Sequence, residues 1–104
     1  MARTNDACGA WVVELLDVAS NESVLEVGFG PGMAIRRLSA LAAHVAGVDT
    51  SREMLAQARG RNAIAIENGR VELRHGSVDD LPFASDTFHK AMAINSMPLS
   101  WFAI

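Results

Sequence analysis

Apolar positions along this chain fall into short runs whose period changes, and the order of those periods predicts an alternating α/β domain. Val24-Leu25-Glu26-Val27 is a compact apolar run with two β-branched valines, bounded behind by Ser20-Asn21-Glu22-Ser23, as a buried parallel strand would be. Gly28, Gly30 and Gly32 then make a tight turn, and Met33 to Leu41 carries Ala34, Leu38 and Leu41 at helical spacing in a helix ending near Ala43. His44 to Asp49 is a second apolar strand that ends in an acid. The next helix begins at Thr50 or Ser51 and turns Met54, Leu55 and Ala58 inward, with Thr50 and Glu53 forming a T-x-x-E capping box. Gly60 is a candidate interruption, Asn62 to Glu67 reads as helical again, and Asn68-Gly69 is a stop.

Val71 to His75 alternates apolar and polar side chains where the first two strands do not, which suits the edge of a sheet. Gly76 to Phe83 is a loop, Ala84 to Thr87 a turn, and Phe88 to Ile94 a fourth strand with Asn95 at its carboxyl end. Ahead of all this, Asn5 to Ala19 forms a leading helix with Trp11, Leu15 and Val18 on one face, and Trp11 is expected to pack in the core or as a lid. Repeated strand-helix-strand order implies a parallel sheet with right-handed crossovers.

The glycine turn is where chemistry belongs. Glycines at alternate positions permit positive φ and remove Cβ atoms, so the loop is expected to offer free backbone N–H groups to a polar or anionic ligand at the carboxyl end of the first strand. The dinucleotide fingerprint is G-x-G-x-x-G, whereas this chain has G-x-G-x-G with Met33 at the place of the third glycine, so a nicotinamide-dependent oxidoreductase is the second enzyme class. Asp49 follows Gly28 by about the twenty residues at which nucleotide-binding α/β folds place a carboxylate for ribose hydroxyls. Its alternative role is to cap the helix that follows. Glu26 lies inside a strand covered on both faces, where a carboxylate needs a cation: a ligand ammonium, or else Arg36 or Arg37.

Three segments in order, Glu26-x-Gly28-x-Gly30-x-Gly32, Gly47-Val48-Asp49-Thr50-Ser51 with Met54-Leu55, and Gly76 to Phe83, resemble successive motifs of the class I S-adenosylmethionine-dependent methyltransferases, the type 11-like group in particular. The resemblance implies a three-layer Rossmann-like doubly wound sheet with strand order 3-2-1-4, and S-adenosyl-L-methionine as cofactor. By the same resemblance Glu26 would hold the cofactor's amino group, the backbone around Gly28, Phe29, Gly30 and Gly32 would face its carboxylate, and Asp49 would hold the ribose, with Thr50 and Met54 alongside. Ser77 and Val78 would sit at the adenine and Asn95 near the sulfonium. Ser77 departs from the family's usual acid, leaving Asp79 or Asp80 to reach the adenine amine. His89 departs from its aspartate and reads as a solvated residue at a strand start, not a base. The chain also stops after the fourth strand, so residues 1–104 read as the N-terminal, cofactor-binding portion of such a domain. No catalytic residue is named.

Composition narrows the partners. Half of the 104 residues are apolar and a fifth charged, which is ordinary for a globular domain, and a formal charge of −3 shows no basic stripe for nucleic acid. The methyl acceptor is unidentified and reads as a small molecule. Cys8 is the lone cysteine, so neither an internal disulfide nor a cysteine-rich metal site is expected. No signal peptide or membrane span is visible, which points to the cytoplasm. An apolar fourth strand followed by Trp101, Phe102 and Ile104 predicts self-association through Ala91 to Ile104. An inactive remnant or interaction module with this fold is the non-enzyme alternative.

Overall fold

The structure is a computed structural model that describes residues 11, 13–77, 79–83 and 87–93. Its elements are β1 (Ser23–Val27), α1 (Met33–Ser39), β2 (His44–Asp49), α2 (Arg52–Arg61), α3 (Ala63–Glu67), β3 (Val71–His75) and β4 (Lys90–Met92), with helical residues at 11 and 13–16 ahead of β1. The four strands form one sheet in the order β3-β2-β1-β4, every pair parallel, as expected. Glu26 stands opposite Gly47 on one side and Met92 on the other.

Strand alternation sends each residue set to its own layer. Val24, Val45, Val71 and Leu73 join Ala34, Ile35 and Leu38 of α1 and Leu55 and Ala58 of α2 in one core cluster. On the opposite face Leu25, Ala46 and Ala91 meet Phe88, and among the described residues that face is covered by Leu81 and Phe83 of the loop before β4. Phe83 and Phe88 pack edge to face with ring centroids 5.4 Å apart.

Several boundaries differ from the sequence reading for local reasons. α1 ends at Ser39, so Leu41 leaves the helical phase and is exposed, and Ala42 fills the buried position instead. The cap of α2 is Ser51, whose Oγ accepts the Met54 N–H at 3.1 Å, and not Thr50, whose carbonyl lies 3.0 Å from His75 Nε2. Gly60 sits inside α2. The break falls at Asn62, while Gly69 at φ 81° makes the expected stop. β4 starts at Lys90, two residues later than expected, because His89 is occupied in tying the strand to β1: its Nδ1 accepts the Ser23 N–H and its own N–H reaches the Ser23 carbonyl, both at 2.9 Å.

The leading helix is rotated relative to the expectation. Trp11 and Leu15 are 61% and 58% exposed, whereas Val13 and Leu16 are buried and Val18 packs partly against the core. Lys90 holds the end of this helix in place. Its ammonium donates to the carbonyls of Leu16 and Asp17, each at 2.7 Å, and pairs with Glu22 at 3.1 Å, so the helix end is clamped to the start of β4. The Ala19 N–H and then Lys90 hold the Glu22 carboxyl below the usual carboxylate range. Ala91, Met92 and Ala93 are buried, since Met92 turns to the helical face and Ala91 to the phenylalanine face. These side chains therefore offer no exposed apolar edge, and the Trp101 to Ile104 tail lies outside the described residues.

Candidate functional site

The carboxyl ends of β1 and β2 meet at the glycine loop. Gly28, Gly30 and Gly32 have φ of 71°, 57° and 90°, a left-handed series that side chains resist. Gly32 is required twice over, because a Cβ there would also lie 2.8 Å from both the Ala58 Cβ and the Asn62 Nδ2. At Gly28 and Gly30 a Cβ would meet nothing within 4 Å, so the loop has open space on the side where those atoms are missing. Between them Phe29 is buried over Gly47, whose own Cβ would fall 2.7 Å from its ring. The Phe29 side chain is therefore core, and only its backbone faces the loop.

The loop's glycine N–H groups are not left free. Gly28 donates to the Val48 carbonyl at 2.8 Å, Gly30 to Asp49 Oδ2 at 2.8 Å, and Gly32 to the Phe29 carbonyl at 3.1 Å. Asp49 Oδ1 accepts the Ser51 N–H at 2.8 Å. One side chain thus joins the glycine loop to the start of α2, which combines a loop brace with the capping role. A carboxylate has further lone pairs for incoming hydroxyls. The Asp49 carbonyl also accepts the Gly76 N–H at 3.0 Å, bringing the loop of Ser77 beside it. Ser77 Oγ accepts the Asp79 N–H at 3.0 Å, and Asp79 and Asp80 are exposed. Thr50 is exposed and Met54 half-buried; Val78 and Asn95 lie outside the described residues.

Glu26 is the unusual member. It is 0% exposed, and among the described residues neither carboxyl oxygen has a hydrogen-bond partner, Arg36 and Arg37 included. Burial first, and the Asp49 charge second, push its carboxyl well above the usual carboxylate range.

Two bracing residues escaped the sequence reading. Asn62 is buried, and its Nδ2 donates to the Gly32 carbonyl at 3.1 Å and the Ala58 carbonyl at 3.0 Å. Arg61 Nε donates to the Pro31 carbonyl at 3.1 Å. Only a polar residue at a helix break signals them, because both partners are thirty residues away in sequence.

Residues 24–103 match a family described as a methyltransferase domain. The chain belongs to that family. This methyltransferase domain is 30% identical over 98 residues to the uncharacterised methyltransferase YdaC of Bacillus subtilis strain 168, covering 92% of this chain and 52% of YdaC. Methyltransferase GfsG of Streptomyces halstedii is 33% identical over 98 residues, covering 93% and 35%. The chain therefore spans about half the length of YdaC and about a third of GfsG. Among solved structures, YcgJ of Bacillus subtilis superimposes with a TM-score of 0.70 and 25% identity over 84% of this chain and 37% of that one. A phosphoethanolamine N-methyltransferase of Haemonchus contortus, solved with phosphoethanolamine and S-adenosylhomocysteine, shares the fold at a TM-score of 0.75 and 20% identity, over 89% and 20% of the two chains. No helix among the described residues is long and apolar enough to cross a membrane.

Proposed function

We propose that this methyltransferase domain binds S-adenosylmethionine across the ends of β1 and β2 and serves methyl transfer to a small-molecule acceptor. The observation that carries the reading is Glu26, a fully buried carboxyl without a partner among the described residues at the foot of an open glycine loop. Such a group is costly unless something brings it a positive charge, and the amino-acid end of this cofactor has an ammonium to bring. Open space beside Gly28 and Gly30 gives that end room against the backbone, and the spare lone pairs of Asp49 suit a ribose diol. Ser77, beside Asp49 through the Gly76 bond, is assigned to the adenine together with Val78; Thr50 and Met54 are assigned to the cofactor alongside Asp49, and Asn95 to the sulfonium and substrate end.

Bound there, S-adenosylmethionine supplies a methyl group already made electrophilic by its sulfonium. The chain's own contribution is position. Asn62 and Arg61 hold the Gly32 and Pro31 carbonyls, Asp49 holds the Gly30 N–H, and the loop is thereby kept in one shape for the ligand. We place residues 1–104 as the cofactor-binding portion of such a domain. Its acceptor is assigned to the small molecules, since 12 acids against 9 bases give no basic stripe for nucleic acid. Self-association, within this proposal, runs through the backbone edge of β4, and light scattering over a dilution series reads it.

Calorimetry with S-adenosylhomocysteine tests the site. Saturable one-to-one binding is expected, weakened at least tenfold by Asp49→Ala and abolished by Gly30→Val, whose β-branched side chain opposes φ of 57°. Binding that both substitutions leave untouched would remove the assignment.

A further inference from the structure

We propose that loading this site is a proton exchange: Glu26 carries a proton until the cofactor's ammonium arrives, and releases it to solvent as the ion pair forms. The inference rests on the cofactor assignment made above and adds to it the protonation state of the empty site. It stands first on geometry. Glu26 lies inside a parallel strand at 0% exposure, and no donor among the described residues reaches either oxygen. A lone carboxylate so placed would lose its hydration and receive no bond in exchange, whereas the neutral acid loses far less.

Among the described residues, no cation is paired with the Glu26 carboxyl from any element packed there. On β2 the register neighbour is Gly47, and the charged group that follows is Asp49, which is itself negative. On β4 the neighbour is Met92, and Lys90 is already engaged by two carbonyls and Glu22. On α1, Arg36 and Arg37 make no hydrogen bond to Glu26. The leading helix turns Val13 and Leu16 to the core and leaves Glu14 exposed, and α2 contributes Leu55 and Ala58. Burial and the Asp49 charge both favour the protonated form.

An arriving ammonium reverses this balance. Its charge offsets Asp49, and its N–H groups supply the missing donors. The O–H bond of the Glu26 acid breaks with its electron pair left on oxygen, the proton passes to water, and the ligand keeps all of its own N–H bonds. No oxidant or further reactant takes part. Asp49 has a second effect here beyond bracing the loop: by opposing ionisation of Glu26 in the empty site, it ties tight binding to ligands that carry a cation.

The test is calorimetry of the full chain with S-adenosylhomocysteine at about pH 5.8, where an ordinary glutamate is ionised and an α-amino group is protonated. Titrations in acetate and in Bis-Tris, whose ionisation heats differ widely, count the protons released. We expect about one proton per ligand for the wild type and about none for Glu26→Gln, with wild-type affinity rising by up to about tenfold per pH unit. Should Glu26→Gln bind too weakly to measure, infrared difference spectra decide: the protonated-carboxyl stretch of the ligand-free wild type is lost on binding, and ligand-free Glu26→Gln lacks it. Binding without proton release and without that band would overturn the inference while leaving the site in place. Absence of any binding by the wild type would overturn the cofactor assignment and this inference together.

Discussion

At the end of β2, Asp49 accepts the N–H of Gly30 through one oxygen and that of Ser51 through the other; on β1, Glu26 is more deeply buried and accepts no bond from a described residue. Both carboxyls stand on neighbouring strands beside the glycine loop, yet they carry opposite energetics. Asp49 converts burial into a brace, because charge-assisted N–H bonds compensate its lost hydration. Glu26 has burial without compensation and therefore stores an unfavourable interaction that a ligand can relieve. One acid thus holds the loop together, while the proposed site keeps the other for its ligand.

The largest effect that separates them is on Asp49. Asp49→Ala removes two charge-assisted bonds and leaves the loop and the α2 start without their common acceptor, so we expect a loss of about 2–3 kcal/mol of stability in urea unfolding. Glu26→Gln has the opposite sign. It should raise stability at neutral pH, because the folded chain no longer has to keep a glutamate protonated where water would ionise it. A destabilised Glu26→Gln, measured beside a destabilised Asp49→Ala, would make the two carboxyls equivalent and break the contrast.

pH supplies a smaller and sharper version of the same test. Burial and the Asp49 charge hold the folded Glu26 carboxyl well above the usual carboxylate range, so its contribution to stability is fully present below about pH 4.5 and is lost as pH rises through the folded value. The ligand-free domain should therefore become more stable on acidification from neutral pH toward pH 5, by up to about 1.4 kcal/mol per unit, and Glu26→Gln should abolish that slope. Glu22 works in the opposite sense with its lowered value, but its contribution is lost only as pH falls below the ordinary carboxylate range. Denaturant midpoints at several pH values read both. The smallest effect is the coupling between the two acids. Asp49→Asn removes the charge that opposes ionisation of Glu26, so in that variant the stability loss should end at a lower pH and be smaller in total.

Much of this architecture was legible before the coordinates. β1, β2 and β3 fall where the apolar runs place them, the order β3-β2-β1-β4 follows the expected topology, and Gly69 ends α3 as its dipeptide indicates. Glu26, the glycines and Asp49 stand together at the strand ends because a parallel sheet with its loops on one edge leaves them no other place. Such features depend on local sterics and on alternation, and both are written within a few residues of one another.

Tertiary contacts decided the rest. Trp11, Val13, Leu15 and Leu16 are all apolar, so spacing alone leaves the inward face open; packing on the core selects Val13 and Leu16, and Lys90 reaches the Leu16 carbonyl across 74 positions. The motif assigns Phe29 a place at the ligand through its backbone, and the sheet decides where its ring goes, into the hollow over Gly47, whose absent Cβ lies on another strand. The glycine spacing predicts free N–H groups, but Val48, Asp49 and Phe29 take those of Gly28, Gly30 and Gly32. Glu26 could be recognised in the sequence as an acid in a buried strand. That it lacks a partner among the described residues, and that Asp49 adds a second charge against it, are properties of the assembled sheet, since burial and Coulomb interaction depend on distances that only folding sets.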